Sequence, residues 1–221
     1  MSQRHERGTI FVTAATPSTT ESTADNSRTR WRVVDIVTAS VLGVALGLVF
    51  ILWNTAGSPL RDALGALVPG LSALLAGIWL LPAVIGALII RKPGAALYTE
   101  LLAATVSVLI VPNEWGWWTI EAGLVQGLGA ELVFALFFYR RWGIVPALLA
   151  GAGAGLAMAV NDLIVWYASA LTPTFAVVYT VSSVVTGIVL AGLLGWLLVR
   201  AIARTGALSR FASGREHSEL V

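Results

Sequence analysis

The chain has 221 residues, of which 57% are hydrophobic and only 12% charged, with a formal net charge of +2 and no cysteine. Soluble domains carry about 25% charged residues, and the mean hydropathy of +0.82 points instead to a protein that lives in a bilayer. Disulfides, thiolate metal sites and thiol catalysis are excluded by the missing cysteines, and the small net charge gives no footing for a nucleic-acid partner.

In chain order, residues 1–30 are rich in Ser, Thr, Arg and Asn without helical periodicity and read as a disordered cytoplasmic tail. They lack a short apolar core followed by a small-residue cleavage site, so no signal peptide is expected. Apolar runs follow at 33–53, 71–90, 94–111, 119–139, 144–168 and 174–199, each near the ~20 residues that cross a bilayer as a helix. They are continuous rather than alternating, which argues against a β-barrel. The expectation is an all-α integral membrane protein, with six transmembrane helices over 31–204 and a cytoplasmic tail over 205–221. Pro and Gly gather at the breaks, as loop residues should. Within the first break, the short apolar stretch 60–68 suits an interfacial or re-entrant segment.

Basic residues set the orientation. Arg28, Arg30 and Arg32 precede the first run, Arg91 and Lys92 lie in the second loop, Arg140 and Arg141 in the fourth, and Arg200, Arg204, Arg210 and Arg215 near the end. The first loop has only Arg61, beside Asp62, and the third and fifth loops have no Lys or Arg. An even number of spans with both termini cytoplasmic satisfies this alternation.

Ionisable groups inside spans are costly and are functional candidates. Asp35, Glu100, Glu121, Glu131 and Asp162 are such groups here, joined by Gln126 and Asn161. By helical rise, Glu121, Gln126, Asn161 and Asp162 form an outer layer, Glu100 and Glu131 a deeper one, and Asp35 lies at the inner interface near Lys92. Over the outer layer runs the loop Pro112-Asn113-Glu114-Trp115-Gly116-Trp117-Trp118, with Trp166 and Tyr167 at the same level. Aromatic rings above carboxylates and amides suit a flat, nitrogen-rich or cationic small molecule, held by stacking or cation–π contact and by hydrogen bonds to its edge. Interfacial anchoring is the competing reading of the aromatics, and structural pairing that of Glu100 and Glu131. Both histidines, His5 and His217, lie in the polar ends, so no metal site is expected in the spans. Ala39, Gly43 and Gly47 are spaced four apart, as are Gly123 and Gly127, and Gly151 and Gly155; such stripes let helices approach closely, whether within the chain or from a partner. The sole lysine precedes Pro93, so the chain has no Gly-Lys-Ser/Thr nucleotide loop, and any ATPase must be another polypeptide.

The strings Arg91-Lys92-Pro93-Gly94-Ala95-Ala96-Leu97 and Gly123-Leu124-Val125-Gln126-Gly127-Leu128-Gly129-Ala130-Glu131, with Gly77-Ile78-Trp79, Asp162 and Ala191-Gly192-Leu193-Leu194-Gly195, resemble the YkoE family. That family comprises substrate-binding S components of energy-coupling factor (ECF) importers of thiamine and its hydroxymethylpyrimidine precursor (HMP). The resemblance runs from about residue 31 to 208. It implies an S-component-like bundle of six spans in the bacterial plasma membrane, a non-enzymatic subunit that binds its vitamin near the outer face. It also implies a transmembrane coupling protein and cytoplasmic ATPases that hold the ATP and magnesium, this chain carrying no cofactor. The first-span stripe Ala39, Gly43 and Gly47 would then be the docking surface. The candidate substrate residues are Trp79, Trp115, Trp117, Trp118, Glu121, Gln126, Asn161, Asp162 and Tyr167. The alternative function is a stand-alone, proton-coupled secondary transporter using Glu100, Glu131 or Asp162.

Overall fold

The computed structural model of the chain describes residues 30–211, 213 and 214. The tail expected over 1–30 lies outside the described residues apart from Arg30, and so does 215–221. The described residues from Trp31 onward form one unit. Its elements are α1 (Val33–Ala56), α2 (Ser58–Leu67), a 3-10 helix (Leu71–Leu80) running directly into α3 (Leu81–Ile90), α4 (Ala95–Ile110), α5 (Trp118–Leu136), α6 (Ile144–Val165), a short turn (Ala168–Ala170), α7 (Pro173–Thr186), a π-helical stretch (Gly187–Leu194) and α8 (Gly195–Arg204). The molecule is therefore an all-α membrane bundle. Among the described residues, five stretches are long and apolar enough to cross a bilayer: Val33–Ala56, Leu71–Ile90, Trp118–Leu136, Ile144–Val165 and Pro173–Arg204. α4 is apolar but shorter; its 16 residues cover about 24 Å at α-helical rise. The short apolar stretch of the first loop forms α2, which carries Pro59 in its first turn and buries no residue.

The stretch Leu71–Ile90 is the axis of the fold and much the most enclosed. Around it α1 packs on α4, α4 on α5, α5 on α6, and α6 on α7 and the π-helical stretch. The outward faces are apolar: Val37, Val41, Leu48 and Leu52 on α1, and Leu132, Leu136, Leu156 and Ile164 on α5 and α6, are exposed. A large exposed apolar surface fits hydrocarbon rather than water.

The buried acids hold helix ends. Glu131 on α5 accepts the N–H groups of Gly94 (2.6 Å), Ala96 (3.0 Å) and Leu97 (3.3 Å), and the Tyr139 hydroxyl (2.8 Å). The first N–H groups of any helix lack internal partners and carry partial positive charge, so this carboxylate caps α4 from the neighbouring helix. Glu100 on α4 does the same for α3 through the Ala83 N–H at 2.9 Å. The two glutamates share a depth but are each bonded to a different helix end. Asp35 is fully buried, 2.6 Å from Lys92 Nζ and 2.8 Å from Arg32 Nη2, which ties α1 to the Arg91–Gly94 turn. There Arg91 and Gly94 take left-handed φ values of 55° and 85°.

The glycine stripe on α1, expected as a docking surface, lies inside the bundle. Ala39, Gly43 and Gly47 are buried against α4. A Cβ on Gly43 would lie 2.9 Å from Leu102 Cβ, and one on Gly47 would lie 2.8 Å from the Ala103 carbonyl. The stripe is filled by the chain's own helix and presents no groove outward. Gly123 and Gly127 likewise admit Ala104 and Leu97 of α4, while Gly151 and Gly155 admit the backbone of Gly187 and Ser183.

Candidate functional site

A cavity of about 590 Å³ opens at the end of the bundle away from the Asp35–Lys92 pair. Its walls follow from helical spacing. Glu100, Ala104 and Ser107 lie on one face of α4, Trp118, Ala122 and Gln126 on one face of α5, and Met158, Asp162 and Trp166 along α6. Ala73, Ala76 and Trp79 complete the wall from the central element. A 3-10 helix has 3.0 residues per turn, so these three side chains stand in single file. Thr186 Oγ1 bonds the Leu74 carbonyl at 2.6 Å and Trp53 Nε1 the Leu75 carbonyl at 3.1 Å, which ties this unusually long 3-10 stretch to both neighbours.

The aromatic groups form two levels. Trp79 and Trp115 meet edge to face, with centroids 5.4 Å apart; Trp79 is fixed by its N–H to Asn54 Oδ1 at 3.0 Å. The Arg61 guanidinium from α2 lies 5.1 Å from the Trp79 ring centroid and 5.2 Å from that of Trp115. Trp118 and Trp166 pair at the rim, 6.2 Å apart. On the far wall the Tyr179 hydroxyl donates to Asp162 Oδ2 at 2.6 Å. Tyr167 packs against Tyr179 with centroids 5.2 Å apart and planes tilted by 57°, and burial, reinforced by the Asp162 carboxylate, pushes its phenol above the usual value. Asn113 orders the Trp-rich loop: its Oδ1 accepts the N–H groups of Trp115 and Gly116 and the Thr119 hydroxyl at 3.0–3.1 Å.

Buried polar atoms normally have partners. Among the described residues, the buried side-chain atoms without one are Arg61 Nη1, Glu100 Oε1, Ser107 Oγ and Asn113 Nδ2. All four residues line this one cavity. The set combines donors, an acceptor and a hydroxyl within aromatic walls, and it is complementary to a flat solute with donors and acceptors on its edge. No group of three or more His, Asp or Glu residues that could hold a metal occurs among the described residues.

Of the residues singled out in the sequence, Trp79, Trp115, Trp118, Gln126, Asp162 and Tyr167 line the cavity, and Trp117, Glu121 and Asn161 do not. Neighbours on a helix point about 100° apart, so Asn161 stands off the cavity wall, where it donates to Glu121 Oε2 at 3.2 Å. Trp117 is 70% exposed and points outward from its loop. The sequence reading missed Arg61, Asn54, Ser107 and Tyr179 as cavity residues. Ser107 carried a signal, since it is two turns from Glu100 on the same face. Arg61 carried another, as the one basic residue in its half of the loops.

Fold and cavity define the class: an all-helical membrane subunit with a solute-sized internal site. Residues 34–157, more than half of the chain, match the family described as the permease component of the ABC-type cobalt transport system. The chain is 37% identical over 186 residues to the "Putative HMP/thiamine permease protein YkoE" of Bacillus subtilis (strain 168), covering 84% of this chain and 92% of that protein. A crystal structure of an S component of an ECF transporter superposes with a TM-score of 0.79 at 34% identity, over 86% of this chain and 94% of the other. The chain belongs to the YkoE family of ECF S components. It is accordingly a multi-pass membrane protein and a non-catalytic S component of an ECF-type importer, and membership implies ATPase and coupling partners.

Proposed function

We propose that this chain binds thiamine or HMP in the cavity beneath the Trp-rich loop and delivers it with a transmembrane coupling protein and cytoplasmic ATPases. The observation that carries the reading is the convergence of every buried unpartnered side-chain polar atom among the described residues on one aromatic-walled cavity. An aminopyrimidine supplies the matching groups. Its amino group donates to Glu100 Oε1, its ring nitrogens and hydroxyl accept from Arg61 and Asn113, and its flat ring lies against the indoles. The 590 Å³ volume falls in the range of small-molecule sites, about 300–1,000 Å³. The relative named as an HMP/thiamine permease supports the same substrate class.

In this reading α4 is the sixth span, the cavity faces outward, and both termini are cytoplasmic. The basic residues support that orientation: Arg91, Arg140 and Arg200 line a common groove at the opposite end of the molecule from the cavity, as the cytoplasmic enrichment of Lys and Arg requires. Isothermal titration of the purified protein with thiamine and HMP tests the proposal, with riboflavin and biotin as controls. Saturable binding of a pyrimidine ligand and none of the controls is expected; absence of binding by both pyrimidines would overturn it.

A further inference from the structure

We propose that Arg61 is a specificity-determining residue that makes the site discriminate by ligand charge, its guanidinium holding the two indole faces that a cationic ring would otherwise take. The inference rests on the proposed thiamine/HMP reading and deepens it. Trp79 and Trp115 stand edge to face, a geometry that presents two negative π surfaces to one point, and Arg61 lies about equally close to both, at 5.1 and 5.2 Å. The side chain is only 12% exposed, yet its single ion pair is a 3.6 Å contact to Glu114, which is 68% exposed. Such a solvated contact holds little. Arg61 Nη1 is buried without a partner on the cavity wall, and α2, which carries it, buries no residue of its own. The guanidinium is thus placed by the indoles more than by its helix or its ion pair.

The other charged or acidic side chains on the cavity wall are Asp62, Glu100, Glu114 and Asp162, so among the lining residues Arg61 alone is basic. A thiazolium entering the indole pair meets a resident positive charge and has to share or displace it. A neutral ring meets no such competitor and gains the Nη1 donor. A cation–π contact of intermediate strength, about 1.4 kcal/mol, corresponds to a factor of about ten, and removing the competitor should favour a cationic ligand over a neutral one by about that factor.

The test compares thiamine with its neutral isostere, in which a thiophene replaces the thiazolium, by isothermal titration on the wild type, Arg61→Met, Arg61→Gln and Arg61→Lys. The affinity ratio of thiamine to isostere should rise about tenfold in both uncharged variants and stay near the wild-type value in Arg61→Lys. Binding of both ligands with an unchanged ratio in Arg61→Met and Arg61→Gln would overturn the charge discrimination alone. So would a ratio that shifts in Arg61→Lys as far as in the uncharged variants. Failure of the wild type to bind either ligand would overturn the thiamine/HMP reading together with this one.

Discussion

Glu100 offers the sharpest test of how the cavity reads a ligand. The carboxylate is fully buried; Oε2 takes the Ala83 N–H at 2.9 Å, and Oε1 faces the cavity without a partner. Glu100→Gln separates these two duties. The amide oxygen can still accept from Ala83, so the start of α3 remains capped, while the amide nitrogen puts a donor where an acceptor stood. A ligand amino group that donated to Oε1 then faces another donor. A buried donor left without its acceptor costs about 1–3 kcal/mol, which corresponds to roughly tenfold to a hundredfold weaker binding. Calorimetry with HMP, the smaller ligand, reads the loss most directly, and a thermal melt of the same sample should show little change. Glu100→Ala should differ, because it strands the Ala83 N–H and lowers stability by about 1–3 kcal/mol. If Glu100→Gln binds HMP as tightly as the wild type does, Oε1 is not a ligand acceptor and the assignment of the ring edge to this wall is wrong.

Asp162→Asn removes the charge-assisted bond from the Tyr179 hydroxyl, 2.6 Å long, and should weaken thiamine binding by about tenfold in titration; an unchanged affinity would assign Asp162 to positioning Tyr179 without consequence for the ligand. Glu131→Ala strips the N–H groups of Gly94, Ala96 and Leu97 and the Tyr139 hydroxyl of their acceptor, so stability should fall by about 3 kcal/mol or more, seen as a lowered melting temperature. Gly47→Leu forces a Cβ to within 2.8 Å of the Ala103 carbonyl and 2.9 Å of Val106 Cβ. It should destabilise the isolated protein by about 1–3 kcal/mol, whereas an undisturbed melt with lost uptake would restore the docking role to this stripe.

Much of the bundle was legible because hydropathy and helix length are linear properties of a sequence. The apolar runs mark the helices, and Arg91-Lys92-Pro93-Gly94 marks a turn whose left-handed residues the structure shows. Depth was legible for the same reason, since it scales with residue number along a helix. Azimuth was not. Gln126 and Asp162 line the cavity, while Glu121 and Asn161, at comparable depth, bond to each other off its wall. Nothing in a single sequence fixes which side of each helix faces its neighbours. The same ambiguity hid the use of the α1 stripe, whose spacing serves an internal helix as well as a foreign one. Arg61 was read as a topology marker, because its meeting with Trp79 and Trp115 joins three separate segments. The tight winding of Leu71–Leu80 left no mark in hydropathy either, and an α-helical reading of that run scatters Ala73, Ala76 and Trp79 around the axis.

That winding turns the pocket wall into a ruler graduated in threes. Each residue of a 3-10 helix advances about 120° and 2.0 Å, so one residue added or removed between Ala73 and Trp79 swings the indole a third of a turn, off the cavity and away from Asn54 and Trp115. Two do the same in the other sense, and only a change of three restores the register, at a shift of about 6 Å along the axis. Relaxation of the segment to an ordinary α-helix has an equivalent effect, since the loss of about 20° per residue over the six steps from Ala73 to Trp79 also amounts to a third of a turn. The shape of the site is therefore encoded in the pitch of one backbone stretch as much as in the side chains it carries, and related sequences that keep the site should vary in length everywhere sooner than here.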